Sequence, residues 1–177
     1  MKKADGFWLF ALPVYLLIGT ARHELSHAAA AMMEGARVTK IWVLPSVQPL
    51  LGFCWGYADY EGGDTTWLTT AAPYFCDVAM FAIFVPLCVY GRRWPRWVWL
   101  NCLVIGVASP LADVVNAYQT IYTRDTSDAI VLLSEFPHWA VHAAYLGLIV
   151  LFAGGTWYLI RERARQGASE NVSRLAR

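Results

Sequence analysis

Charge is scarce in this chain. Charged residues fill 15% of its 177 positions, and 14 Lys and Arg against 13 Asp and Glu leave a net charge of +1. Binding a polyanion requires a basic surface that displaces counterions, so no nucleic-acid partner is expected. Cysteine is sparse as well. Cys54, Cys76, Cys88 and Cys102 show no C-x-x-C spacing, which argues against a thiolate metal site or a redox pair. Three of them fall in apolar segments, where a thiol behaves as a small buried hydrophobe. Internal repeats and low-complexity tracts are absent, which excludes a solenoid. Histidine occurs only four times, as two pairs, too few for a desaturase-type di-iron centre.

What the chain has instead is apolar length. Hydrophobic residues make up 58% of it, and its mean hydropathy is +0.40. Four stretches, 7–33, 67–90, 97–122 and 138–160, each reach the roughly 20 residues needed to cross a bilayer core of about 30 Å. The expected fold is therefore all-α: a single membrane domain over 1–165, built from about four transmembrane helices. A polar tail, 166–177, is expected to be disordered. Lys2-Lys3 ahead of an apolar run resembles a signal peptide, but the run outlasts signal length and reads as a retained helix. Trp67, Trp94, Trp97, Trp99, Tyr122 and Trp157 fall where interfacial aromatic belts form. Pro73, Pro86 and Pro110 lie inside spans, which membrane helices tolerate when neighbours satisfy the freed carbonyls. Between the first two spans, 34–66 is broken by Pro45, Pro49, Gly52, Gly56, Gly62 and Gly63. It reads as short strands or a re-entrant hairpin at the membrane surface.

The few charges sort by side. Lys2 and Lys3, then Arg92, Arg93 and Arg96, then Arg161, Arg163, Arg165, Arg174 and Arg177 all fall on one face of a four-span topology. The other face carries Arg37, Lys40 and Arg124 among six acids. The positive-inside rule then places both termini in the cytoplasm of a multi-pass protein of a bacterial-type cell membrane.

Inside the first span stands His23-Glu24-Leu25-Ser26-His27. On a helix, i and i+4 share a face, so His23 and His27 can grip one ion, with zinc as the expected cofactor. Glu24 then stands where it can take a proton from water. An ionisable residue in lipid is costly and by default a sign of function, although Glu24 could instead pair with Arg22. A third ligand is required, and depth offers a guide. The two histidines lie roughly 24–30 Å into the first span, and Asp113 lies roughly 24 Å into the third, which runs the same way. Asp113 is the candidate metal ligand, with pairing to Arg22 as its structural alternative. Asn116, one turn on, could hold that carboxylate or a substrate carbonyl. Asp77, in the second span and nearer the midplane, is a rival ligand, an outer support or a proton relay. His138 and His142 reach a similar height at the start of the fourth span. They could complete the site, hold a second metal or move protons. Alternatively, they are an interfacial helix start after Pro137 and a packing residue. Two histidine pairs also allow bis-histidine haem, which would leave Glu24 without a role.

Ala21-Arg22-His23-Glu24-Leu25-Ser26-His27-Ala28-Ala29-Ala30-Ala31, then Glu34-Gly35-Ala36-Arg37-Val38 and the strand-like Ile41-Trp42-Val43-Leu44-Pro45, resemble the site-2 protease family of intramembrane zinc metalloproteases. The resemblance covers about residues 8–60. It implies His23 and His27 as zinc ligands, Glu24 as catalytic base, and an aspartate on a later helix as third ligand. In that place stands Pro110-Leu111-Ala112-Asp113, with Ala112 interposed and Val114 where the family has glycine. Thr70-Ala71-Ala72-Pro73 is similar to a small-residue-plus-proline motif lying between the two. The implied activity is hydrolysis of peptide bonds in membrane-spanning protein substrates, within the lipid bilayer. A metal-binding membrane protein or metal transporter without peptidase activity is the alternative. The family commonly places zinc nearer the cytoplasm, whereas the charge count places it on the opposite side.

Overall fold

The computed structural model describes residues 5–48, 52–123 and 127–175, with side chains described over 11–47, 53–123 and 127–165. Helix α1 (Asp5–Met33) is followed by four short strands, β1 (Arg37–Trp42), β2 (Ser46–Gln48), β3 (Gly52–Cys54) and β4 (Tyr57–Glu61). Helix α2 (Trp67–Tyr90) leads through a 3-10 turn (Gly91–Arg93) into α3 (Arg96–Leu103). A π turn (Val104–Ala108) joins α3 to α4 (Ser109–Thr123), and α5 (Asp128–Glu135) and α6 (His138–Leu175) complete the chain. The molecule is thus mostly helical, as expected. Three segments, Trp67–Arg93, Arg96–Thr123 and His138–Arg165, are long and apolar enough to cross a membrane. The expected first span is α1, 29 residues long, with Leu12, Val14 and Ile18 exposed on it. The side chains of its opening turns lie outside the described residues. The backbone of α6 stays helical to Leu175, into the segment expected to be a polar tail, whose side chains also lie outside them.

The broken segment after α1 is a pair of antiparallel ladders. In one, β1 pairs with β4, from Arg37 opposite Glu61 to Trp42 opposite Tyr57, with a register shift between Val38 and Lys40. In the other, β2 pairs with β3. The long hairpin folds back along α1. A Cβ on Gly56 would fall 2.5 Å from the Thr20 Cγ2 and 3.0 Å from the Glu24 Cγ. Only glycine lets the strand lie this close to the metal-motif helix.

Lipid supplies little hydrophobic drive between helices, so contact rests on close packing of small residues. Ala28, Ala30 and Ala31 of α1 and Ala71 of α2 are all buried. One buried cluster joins α2, α4, α5 and α6 through Tyr74, Val114, Ala129, Tyr145 and Phe152. A second, nearer the other end of α2, joins Cys88, Trp99, Leu103, Val107 and Leu159. Cys54 and Cys88 are buried, in keeping with small hydrophobes.

Two prolines shape the backbone around the centre of the bundle. Pro73 has no N–H to offer the Thr69 carbonyl four residues earlier, so that carbonyl is left without its helical donor. Ahead of Pro110 the ladder widens into the π turn. There the Ser109 N–H donates to Val104 and passes over Ile105. Both freed carbonyls take side-chain donors from α1.

Candidate metal centre

His23 and His27 stand on the face of α1 that meets α2 and α4, at the wall of a cavity of about 560 Å³. Their Nε2 atoms point at each other across 3.2 Å. The Asp128 Oδ2 closes the triangle, 3.1 Å from each. Asp128 opens α5, with the Ser127 side chain capping that helix start by accepting from the Ile130 N–H. Donor atoms of a tetrahedral zinc with bonds of about 2.0–2.1 Å stand about 3.3 Å apart, so the triangle has the size of one face of such a site.

The outer atoms of both rings are engaged. The His27 Nδ1–H donates to the Thr69 carbonyl at 2.8 Å, the carbonyl that Pro73 leaves free. The His23 Nδ1 lies 2.9 Å from the Asp113 Oδ2. With both Nδ1 atoms carrying the proton, both Nε2 atoms present lone pairs, and the carboxylate they face presents more. Three acceptors converging at about 3 Å with no proton between them repel, and a cation relieves that repulsion. This donor set fits zinc.

Behind His23 lies a buried charge network. Arg22 Nη2 is 2.7 Å from Asp77, a fully buried carboxylate, and 3.7 Å from Asp113. Its Nη1 donates to Ser109 Oγ at 3.2 Å and reaches the Ile105 carbonyl, the one freed by the π turn, at 3.5 Å. Arg22 thus neutralises two acids inside the bundle and ties α1 to α2 and α4. Behind His27 the support is different. Glu34, just past α1, accepts from the Thr66 N–H at 2.9 Å, the Thr69 hydroxyl at 2.6 Å and the Thr66 hydroxyl. These bonds hold the first turn of α2, and with it the Thr69 carbonyl. The bonds from the Thr66 side chain come first in holding the Glu34 carboxyl below its ordinary value.

Glu24 is buried and lines the same cavity as the histidines, as do Asp113 and Asn116. The hairpin supplies the opposite wall through Trp55, Gly56 and Tyr60.

A family model for Peptidase M50B-like proteins matches residues 8–172. The chain belongs to that family. The comparisons with curated proteins and with solved structures give no match.

Within this M50B-like chain, the structure groups His23, His27 and Asp128 as one potential metal cluster. Asp113 reaches the height expected of it but lies on the outer side of the His23 ring, the side away from the triangle. Asp77 lies deeper, against Arg22, and Arg22 pairs with these two acids. His138 is exposed at the start of α6. His142 is half-buried, its Nδ1 3.2 Å from the Tyr118 hydroxyl. Neither belongs to the cluster among the described residues.

Sequence reasoning missed Asp128, Thr69 and Glu34. Asp128 lies in a polar connection that looks solvated, and its signal was Ser-Asp at a helix start. The signal for Thr69 was Pro73, four residues on, since a proline in a helix always leaves one carbonyl to be satisfied elsewhere.

Proposed function

We propose that this chain is a zinc-dependent intramembrane endopeptidase that cuts membrane-spanning protein substrates. The observation that carries the reading is the convergence of two Nε2 atoms and one carboxylate oxygen on a single point of a cavity that Glu24 also lines. His23, His27 and Asp128 would hold the metal, with Asp113 and the Thr69 carbonyl fixing the two rings. Bound there, zinc supplies Lewis-acid chemistry that acidifies water and polarises a carbonyl. The Glu24 carboxylate takes a proton from water in the cavity, and the oxygen attacks the peptide carbonyl. The same Glu24 then returns the proton to the leaving amine. Asn116 is placed to orient the substrate. The hairpin wall shields the reacting atoms from bulk solvent and lipid.

The membrane frame belongs to the same proposal. The basic segments Arg92–Arg96 and Arg161–Arg165 lie at the end of the bundle opposite Thr69, Asp128 and His138. With that end in the cytoplasm, the protein is multi-pass and the metal lies in the far half of the bilayer. A reporter fused to the C-terminus and found active on the outer side would refute this orientation.

The metal-transporter alternative needs a continuous polar path. Arg22 and Asp77 instead make a closed ion pair at 2.7 Å whose carboxylate is fully buried, which argues against conduction.

The test is Glu24→Ala in the purified full chain, given a membrane-spanning peptide substrate in detergent. Loss of the general base should lower cleavage at least about a hundredfold, with zinc content and helicity unchanged. Full cleavage by that variant would sink the peptidase reading.

A further inference from the structure

At the end of the bundle away from the cavity, α2 stops at Tyr90 and the chain turns through Gly91–Arg93 toward α3, beside α6. A second, smaller cavity of about 40 Å³ opens between these elements, lined by Arg92, Trp99, Tyr158, Glu162 and Arg163 among others. That is room for two or three waters, or for one small oxyanion.

Arg163 is held in place on two sides. Its Nη2 donates to the Trp94 carbonyl at 3.0 Å, and its guanidinium lies over the Trp99 ring, 5.3 Å from the centroid. Trp99 is itself fixed, since its Nε1–H donates to the Cys88 carbonyl at 3.0 Å. The Arg163 Nη1 is buried and has no hydrogen-bond partner among the described residues. A buried guanidinium donor with no acceptor is costly, and an anion in the cavity removes that cost. Arg92 adds a second positive charge to the lining. Glu162, the acid there, lies 3.9 Å from Arg165.

The surroundings indicate which anion. Trp94, Trp97, Trp157 and Tyr158 are exposed around this end, the pattern of side chains that sit at headgroup level. Arg92, Arg93, Arg96, Arg161, Arg163 and Arg165 concentrate positive charge there, and basic pockets between membrane helices attract anionic headgroups. We propose that this pocket binds a phosphate group, supplied by the headgroup of an anionic phospholipid. Free phosphate offers the same chemistry. The inference is independent of the peptidase reading.

The test is native mass spectrometry of the full chain extracted from mixed vesicles of phosphatidylglycerol and phosphatidylcholine. The wild type should retain phosphatidylglycerol preferentially. Arg163→Gln should lower that preference about tenfold, the scale of one charge-assisted hydrogen bond. Arg165→Gln removes one charge from the same end without changing the cavity lining and should lower the preference far less than Arg163→Gln. Arg92→Gln, which breaks neither the Trp94 nor the Trp99 contact, should also lower the preference and covers the case in which Arg163→Gln misfolds. Added inorganic phosphate identifies the source. Displacement of bound phosphatidylglycerol supports the headgroup, and phosphate binding that is lost in Arg163→Gln without any lipid preference supports free phosphate. A wild type that retains neither, or an equal loss in Arg163→Gln and Arg165→Gln, would overturn the site.

Discussion

His23 and His27 stand one turn apart on α1, as His138 and His142 do on α6. The first pair has each Nδ1 held from outside, by Asp113 and by the Thr69 carbonyl, and each Nε2 turned toward Asp128. The second pair has His138 exposed and His142 against the hydroxyl of Tyr118, which itself lies 3.2 Å from Tyr122. The i, i+4 spacing is the same in both. What separates them is preorganisation: a metal ligand needs its ring fixed, its tautomer chosen and a further donor brought from another element. Spacing alone supplies none of these.

The largest expected effect tests that contrast directly. His27→Ala should lower zinc affinity about a thousandfold, since a lost ligand removes a sizeable share of the site's binding free energy. His138→Ala and His142→Ala should leave zinc affinity as it is. Metal content after dialysis against a competing chelator measures all three. Zinc retained by His27→Ala but lost from His142→Ala would reverse the comparison.

The two aspartates beside His23 sharpen it. Asp128→Asn should remove zinc nearly as completely as His27→Ala. Asp113→Asn should weaken it by about 10–100-fold, the usual cost of losing an outer partner to a ligating histidine. The same chelator competition ranks them, and the opposite order would make Asp113 the ligand.

This pair also marks how far the sequence could be read. The metal-motif helix was legible because H-E-x-x-H is rare and its chemistry local. The height of Asp113 was legible because helical rise converts residue count into depth. Which side of the ring Asp113 would take was not, since one carboxylate can serve either ring nitrogen. Asp128 was illegible for another reason. It sits past the end of a span, and nothing in local periodicity says that α5 folds back over the cavity. The hairpin after α1 was foreseeable as short strands from its glycines and prolines. Its register and its approach to Glu24 depend on tertiary contact at Gly56.

A smaller effect probes the freed carbonyl behind His27. Pro73→Ala restores a backbone N–H that competes for the Thr69 carbonyl and loosens the His27 ring. Zinc affinity should fall by several-fold, toward the lower end of the outer-partner range. Unchanged affinity would show that the Thr69 carbonyl does not set the His27 orientation.

The smallest effect concerns Glu34, which holds the turn carrying that carbonyl. Its carboxyl is held below the ordinary carboxylate value, first by the Thr66 hydroxyl and then by Thr69. A group with a depressed folded pKa stabilises the fold at pH above its unfolded value and loses that contribution as pH falls through its folded value. Glu34→Gln should therefore lower the unfolding temperature of the metal-free protein slightly at neutral pH. The gap from wild type should close in acid, where a protonated Glu34 resembles glutamine. The metal-free protein is the right sample, because acid would also protonate the ligands of a bound ion. A gap that stays constant from neutral to acidic pH would show that the charge on Glu34 is not what holds the turn, leaving shape alone to position Thr69.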